Sequence, residues 1–352
     1  MWPTKYFDIF ADITTHCNAG CPQCHRTNPD GLKKADWLPL INWTLEDFKK
    51  AYRPSTLKLT RYIQICGTWG DPIMNKDIFE ICKYIMETTE NNEYFKTGIL
   101  LNTNGSIRDE KWWWDLGVLC GDRLRVVFGI DGKDQEQHQL YRKFTNLNKV
   151  LENMKSLSMT KAKAVAQTIV FKHNQNDLKE IKELCLRNGA TNHSYVWSDR
   201  LSEKDRYFEY TNPDGSIYTL EYADKNPEEV YGVELKKEEN NISDGCISCK
   251  WLKMRMVLVN PDGQVLPCCY IANNYYQFGA QVFNGQTMLD YKKEEKDNNI
   301  FHKPLEDILA ESNWFNDTLP ESWDSKEPVR QCVRYCSNKG ESFNKLQRLS
   351  EK

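Results

Sequence analysis

From about Phe7 to Trp197, short β-branched or apolar runs alternate with longer amphipathic stretches, a pattern that restricts the chain to β-α units. The strand candidates are Phe7 to Ile13, Tyr62 to Ile65, Thr97 to Leu101, Arg125 to Ile130, Val165 to Phe171 and Asn192 to Val196. Between them lie helix candidates at Thr44 to Tyr52, Lys76 to Glu87, Asp109 to Leu116, Leu147 to Leu157 and Asn176 to Arg187. Thr44 supplies an N-cap with acids in the first turn, and Gly189 follows the last helix as a stop signal. Strands separated by helices imply a mostly parallel α/β sheet. Six repeats suit an open doubly wound sheet or an incomplete barrel, and periodicity does not choose between them.

After Trp197 the pattern changes. Ser198 to Gly245 is rich in Glu, Asp, Lys and Asn, with a turn signal at Asn212-Pro213-Asp214-Gly215, and reads as an acidic insertion or linker carrying a β-hairpin. A second hairpin follows, with Arg255 to Val259 turning at Asn260-Pro261-Asp262-Gly263 into Gln264 to Leu266. Beyond it come a polar stretch, a short helix around Leu305 to Trp314, and a cysteine-bearing tail. A chain of 352 residues exceeds one typical core, so a large domain with a smaller appended one is expected. There is no internal repeat and no low-complexity tract.

The 47 basic and 50 acidic residues are spread along the chain, with a net charge of -3, so no basic stripe supports nucleic acid as a partner. No apolar run approaches the roughly 18 residues that cross a bilayer, and Met1 to Phe10 lacks the plan of an export signal. A cytoplasmic protein without a membrane partner is expected. Thirteen cysteines are many for a reducing compartment, where clustered thiols bind metal or do chemistry more often than they form disulfides.

Three of those thiols, Cys17, Cys21 and Cys24, fall within the segment Thr14-Thr15-His16-Cys17-Asn18-Ala19-Gly20-Cys21-Pro22-Gln23-Cys24-His25, directly after the first predicted strand. Folds of parallel strands place their active sites on such loops, at the carboxyl ends of strands. Three thiolates on a loop can take three corners of a cube and leave one iron without a protein ligand. The alternative is a zinc site completed by His16 or His25. Zinc knuckles, however, usually supply pairs of CxxC, and no second pair lies nearby in sequence.

The triplet, its place after strand one and the motifs that follow resemble the radical S-adenosylmethionine (radical SAM) superfamily. That resemblance implies a partial (β/α)6 TIM-like barrel over residues 1–200, a 4Fe-4S cluster on Cys17, Cys21 and Cys24, and S-adenosylmethionine chelated to the open iron. Reductive cleavage to a 5'-deoxyadenosyl radical, and hydrogen abstraction from a substrate, are the implied chemistry. Gln23 stands where many members carry an aromatic residue. Cys66-Gly67-Thr68-Trp69-Gly70-Asp71-Pro72 is similar to the family's Gly-Gly-Glu-Pro motif, with Trp69 and Asp71 replacing Gly and Glu, and the resemblance places Trp69, Gly70 and Asp71 near the methionine amino group. Asn102-Thr103-Asn104-Gly105 and Gly129-Ile130-Asp131-Gly132, with His138 and Tyr141-Arg142 after them, resemble the segments that approach the ribose and reaction chamber. Gly129 takes the place of a common serine. Asn104, Gly129, Asp131 and Gln167 are therefore candidate cofactor contacts, with Asn174 a further one.

The second thiol group is Cys249 and Cys268, which bracket the second hairpin, and Cys332 and Cys336 near the end of the sequence. Four thiolates suit zinc or a fully ligated 4Fe-4S cluster comparably well. Residues 246–352 look like the SPASM or shorter twitch domains that follow many radical SAM cores, which implies one auxiliary 4Fe-4S cluster in a smaller α+β domain after a 201–245 linker. Cys246 is an alternative first ligand. Cys269 stands where some relatives carry an aspartate base, which leaves Cys269 and Asp131 as the candidate catalytic residues. Cys66, Cys82, Cys120 and Cys185 read as buried apolar thiols, and Trp112-Trp113-Trp114 as core.

The resemblance thus implies a radical enzyme that oxidises or otherwise modifies a peptide or small molecule, served by an electron donor such as flavodoxin or ferredoxin. The competing reading is a regulatory or binding protein with structural iron-sulfur or zinc and a decayed S-adenosylmethionine site.

Overall fold

The computed structural model describes Trp2 and residues 4–65, 67–93, 95–197, 206–225, 229–230, 247–283 and 285–337. Ten strands are defined among these residues: β1 (Phe7–Ala11), β2 (Thr60–Ile65), β3 (Gly98–Thr103), β4 (Leu124–Gly129), β5 (Lys163–Val170), β6 (Asn192–Trp197), β7 (Tyr207–Thr211), β8 (Ile217–Glu221), β9 (Met256–Val259) and β10 (Val265–Leu266). Eight of them form one sheet in the order β10-β9-β1-β2-β3-β4-β5-β6. Every pairing from β9 to β6 is parallel, and only β10 runs antiparallel.

The strand order decides between the two architectures left open by the sequence. β1 to β6 lie side by side in chain order, with no reversal. Right-handed crossovers between sequential neighbours put every connecting helix on the same face, which gives a singly wound, barrel-like sheet. The helix-facing side is apolar: Ile9, Ala11, Ile63, Ile65, Leu101, Val126, Phe128, Ala164 and Ala166 are fully buried against Phe48, Ile81, Trp113, Val150, Met154 and Ile181. Phe128 and Trp113 sit with ring centroids 5.1 Å apart, and truncating either would cost about 3–5 kcal/mol. The opposite side carries Asp8, Phe10, Gln64, Leu100, Arg125 and Lys163, which line a cavity.

Local chemistry accounts for the helix boundaries. Thr44 and Asp47 form a reciprocal capping box that starts the helix Leu45–Ala51. Asp109 and Asn146 cap Glu110–Cys120 and Leu147–Ser158 with one side-chain bond each, accepting from the Trp112 and Lys149 amides. The helix Leu178–Arg187 stops at Asn188, followed by Gly189 at φ 90°. The Trp run splits as core and surface: Trp113 is fully buried and Trp114 is 39% exposed. Cys82, Cys120 and Cys185 are buried thiols in helices, as expected.

The second hairpin goes beyond the sequence reading, and the acidic insertion carries the hairpin expected of it. The second hairpin joins the main sheet, because β9 pairs in parallel register with β1 (Asp8 with Met256 through Ala11 with Val259) and extends the barrel sheet. Its run Met256–Val259 is apolar and largely buried, so an unpaired β1 edge offers it a better place than solvent. The acidic insertion supplies β7 and β8 as a separate antiparallel pair. This pair is bridged to the cysteine loop at Asp30 and Thr211, and to the end of β5 at Phe171 and Tyr222. Among the described residues no helix is long and apolar enough to cross a membrane.

Candidate active site

β1 ends at Ala11 and hands the chain to the loop that carries Cys17, Cys21 and Cys24. Several bonds fix this loop. The Thr15 amide donates to Ile41 O at 2.9 Å and its hydroxyl to Pro39 O at 2.7 Å. The Gly20 amide donates to Lys143 O at 3.2 Å, the Cys24 amide to Cys21 O at 3.0 Å, and the buried Arg26 to Ala19 O at 3.0 Å. The three cysteines share one apolar cluster with Ala19, Leu32, Tyr141, Phe171, Tyr210 and Leu220. The last two come from the β7–β8 hairpin, so the insertion forms a wall over the thiols. Tyr210 donates to Leu140 O at 2.9 Å, and Lys143 stands 5.2 Å from the Tyr210 ring, closing that wall.

Burial pushes the Cys17 thiol up, with the neighbouring Asp71 adding to it and Arg26 opposing. Burial also raises Cys21, to about 11, with Arg142 opposing and Cys24 adding to the rise. The three sulfurs are therefore near enough to feel one another. Cys17 and Cys21 are thereby held as protonated thiols until a metal displaces the protons.

The loop after β2 is packed directly on the cysteine loop. A side chain at Gly70 would overlap the His16 backbone, with its O at 2.7 Å and N at 2.9 Å, and the Asp71 amide donates to His16 O at 2.7 Å. Asp71 itself is turned inward. Its carboxylate accepts from the Thr103 hydroxyl at 2.9 and 3.0 Å, the Asn104 amide at 2.8 Å and the Ile73 amide at 3.1 Å. Both oxygens are thus engaged in tying this loop to the end of β3. Asp71 thus braces the loop against β3.

Trp69 ties the same loop to its surroundings. It is fully buried and packs against Trp37 at 5.4 Å, Tyr276 at 5.1 Å and His25 at 6.2 Å, joining the cysteine loop to the helix Cys269–Phe278. Its Nε1 has no hydrogen-bond partner among the described residues, and neither has the nearby Tyr276 hydroxyl. Beside them, Asp12 is fully buried with Oδ2 equally unpartnered, while Oδ1 accepts from the Thr68 amide at 3.1 Å. Burial raises the Asp12 carboxyl to about 7, against the pull of the Trp69 and Thr68 amides. Sequence reading missed Asp12, whose only signal is an acid on the strand that leads into the triplet.

At the end of β3, Asn104 Nδ2 donates to Asn18 Oδ1 at 2.9 Å and points at Cys17 Sγ from 3.8 Å. Gly129 and Gln167 are register partners on β4 and β5, and Gln167 Nε2 reaches Ser194 Oγ at 3.4 Å. Gly129 has a clear reason to lack a side chain, since a Cβ there would lie 2.5 Å from Arg142 Nη2. Arg142 occupies that space, donates from Nε to Asp131 Oδ2 at 2.5 Å and stands beside Cys21. Asp131 is fully buried and also accepts from the Ile169 amide at 2.6 Å. Its oxygens are engaged by Arg142 and β5. Asn174 donates to Asp131 O and Ile169 O and accepts from the Phe171 amide, a structural tie. His138, lowered by burial to about 3, is a neutral ring between the Asp131 amide and Thr145.

The second thiol group assembles at the other end of the sheet. Cys249 caps the short helix Lys250–Met254, which leads into β9, and Cys268 follows β10 and precedes the helix Cys269–Phe278. Cys332 and Cys336 lie one turn apart on one face of the helix Arg330–Cys336. The tail is folded back as the spacing requires, with the Ser248 amide donating to Cys336 O at 2.9 Å and Ile247 bridged to Ser337. The Cys249 thiol donates to Cys336, raising the former and lowering the latter, while Lys250 and Lys253 favour the Cys336 thiolate. Burial first, then Cys269, Cys332 and Cys336, raise Cys268. Tyr270 and Tyr335 stack beside the group at 3.9 Å and 10°. Cys269 lies next to Cys268, at the start of the helix Cys269–Phe278. Cys66 and Cys246 lie outside the described residues. Among the described residues no three His, Cys, Asp or Glu side chains are arranged to hold a single ion. Thiolates on a cube each take a different iron and need no common centre.

The sequence matches no protein-family model and no curated protein. Solved structures do resemble the fold. SuiB of Streptococcus suis, bound to its precursor peptide SuiA, superposes with a TM-score of 0.57 at 14% identity, covering 90% of this chain and 67% of SuiB. The anSMEcpe structure with bound AdoMet gives a TM-score of 0.56 at 16% identity, covering 97% of this chain and 91% of that one. Both are radical SAM enzymes.

The chain has the fold of the radical SAM enzymes. On the radical SAM fold described here, the cysteine loop follows β1 at the carboxyl ends of the strands, the loops after β2, β3 and β4 converge on it, and the β7–β8 hairpin closes one side.

Proposed function

We propose that this chain is a radical SAM enzyme in which Cys17, Cys21 and Cys24 hold a 4Fe-4S cluster. The observation that carries the reading is the gathering of three adjoining thiols on one braced loop at the carboxyl edge of the sheet, with a guanidinium beside Cys21. Soft thiolate donors of this kind suit iron-sulfur, and their lowered exposure suits an oxygen-sensitive group. When bound, the cluster and S-adenosylmethionine supply a 5'-deoxyadenosyl radical that takes a hydrogen atom from the substrate.

The protein's own residues do the rest. Arg142 places positive charge beside Cys21 and offsets thiolate charge in a buried setting. Asn104 directs its amide at Cys17, and Gly70 lets the loop after β2 lie close to the ligand site. Gly129 and Gln167 occupy neighbouring positions in register on β4 and β5. The β7–β8 hairpin excludes water from the thiols. Asp12, whose buried Oδ2 has no hydrogen-bond partner among the described residues, is a further group able to hold a proton there, beside the candidates Cys269 and Asp131.

Cys249, Cys268, Cys332 and Cys336 are assigned to one auxiliary 4Fe-4S cluster, since four thiols converge from three separated segments of chain. A flavodoxin or ferredoxin is the proposed electron donor, in the reducing cytoplasm that the thiol content suits. A peptide substrate is favoured over a small molecule, in keeping with the SuiA precursor peptide bound to SuiB and the peptide bound to anSMEcpe in one of its structures.

One observation favours a second reading. Trp69 is turned into an aromatic cluster and the Asp71 carboxylate is saturated, so a methionine ammonium must find other acceptors. A non-catalytic iron-sulfur protein would have the same features. Anaerobic reconstitution, reduction with dithionite and addition of S-adenosylmethionine separates the two. The enzyme reading requires 5'-deoxyadenosine from wild type and none from Cys24→Ala. Intact iron with no 5'-deoxyadenosine, with or without candidate peptides, would leave the regulatory reading standing.

A further inference from the structure

The amino-terminal mouth of the barrel, at the opposite end from the cysteine loop, opens into a cavity of about 740 Å3. That volume lies within the range of sites that hold a small organic molecule. Barrel folds usually keep this face for stability, and nothing in the proposed chemistry uses it.

Its wall carries an unusual pairing. Arg125 on β4 and Lys163 on β5 are direct register partners, and both line the cavity. Like charges placed opposite each other across neighbouring strands repel. Arg125 Nε is also buried without a hydrogen-bond partner among the described residues. A buried donor left unsatisfied costs about 1–3 kcal/mol, more when charged.

The acids nearby are largely spoken for. Asp8 pairs with Arg61 at 2.9 Å. Glu90 takes both Lys96 at 2.5 Å and Arg123 at 3.2 Å. Asp122, exposed at the rim, is the remaining carboxylate of the lining. Behind the two cations, Phe10, Tyr62 and Leu100 give the cavity an apolar floor.

We propose that this mouth is a binding site for a phosphate monoester, its dianionic head held between Arg125 and Lys163 and its organic part laid on Phe10, Tyr62 and Leu100. A dianion matches two cations, a guanidinium offers phosphate a planar fork of donors, and an ammonium adds a mobile point charge. The site is independent of the radical SAM reading, because it needs neither iron nor the cysteine loop.

The test uses the full chain as purified, with titration calorimetry and thermal unfolding in inorganic phosphate, in phenyl phosphate and in sodium chloride of equal ionic strength. Wild type is expected to bind phenyl phosphate saturably and more tightly than inorganic phosphate, with melting raised beyond the chloride control. Arg125→Gln and Lys163→Gln should each weaken binding at least tenfold. Both variants should also melt above wild type in low salt without ligand, because the repulsion is relieved. Equal responses to phosphate and chloride, or equal binding by wild type and Arg125→Gln, would mean an adventitious ion only and would overturn the proposal.

Discussion

Arg142→Met would leave the Asp131 carboxylate buried without its counter-charge. Asp131 is fully buried, its Oδ2 lies 2.5 Å from Arg142 Nε, and the Ile169 amide at 2.6 Å would be its one remaining donor among these contacts. Breaking such a pair from one side typically costs about 3–5 kcal/mol, whereas removing both charges costs far less. The double variant Asp131→Asn/Arg142→Met should therefore cost about 1–2 kcal/mol, so that adding Asp131→Asn recovers about 2–3 kcal/mol of the loss caused by Arg142→Met. The sign of the pH effect follows from the same geometry. Burial already pushes the Asp131 carboxyl up and Arg142 opposes it, so the single variant raises it further. A raised carboxyl is a penalty only where it must ionise, so the defect of Arg142→Met should shrink as the pH falls from 8 to 5. Urea unfolding of the reduced, metal-free chain measures all of these. A single variant that loses under about 1 kcal/mol, or a double variant as unstable as the single, would refute the argument that this pair is a buried anchor.

Gly129→Ala puts a methyl 2.5 Å from Arg142 Nη2 and should destabilise by about 1–3 kcal/mol in urea unfolding, with the loss largely absent in an Arg142→Met background. Asp12, raised to about 7, binds its proton more tightly folded than unfolded, so wild-type stability should fall as the pH climbs from about 4 to 7, by at most about 1.4 kcal/mol per unit. Asp12→Asn should flatten that window in pH-dependent unfolding, and parallel curves for the two proteins would count against the buried carboxyl. Reconstituted wild type should hold about eight irons per chain and Cys332→Ala/Cys336→Ala about four, by metal analysis, with 5'-deoxyadenosine lost only when the triplet is altered.

The sequence carries a fold when the signal is local and periodic. The six strands β1 to β6 were readable because short apolar runs alternate with amphipathic helices, some of them capped, such as the box at Thr44 and Asp47. Proximity of thiols was readable too, from the triplet and from the hairpin that brackets Cys249 and Cys268. Destinations of side chains were not. Asp71 carries the residue type expected near an ammonium, yet Thr103 and Asn104, some thirty positions on, capture it. Gly129 has no signal of its own, because its reason is Arg142. The pairing of β9 with β1 joins residues roughly 250 apart, and only the vacancy at the edge of the barrel sheet makes that pairing favourable. The helices Cys269–Phe278 and Arg330–Cys336 fall in a stretch whose cysteines and aromatics mask the apolar period.

The parallel seam between β1 and β9 has a consequence for how such a protein can be taken apart. A cut made after the sixth strand, where the sequence suggests a boundary, would strip the partner from the strand that launches Cys17 and expose its hydrogen-bonding edge. Shortened chains ending there should precipitate or pair with one another, and grafting the cysteine-rich tail onto another barrel should fail unless the strand travels with it. The seam thus ties the second hairpin to the strand that launches the cysteine triplet.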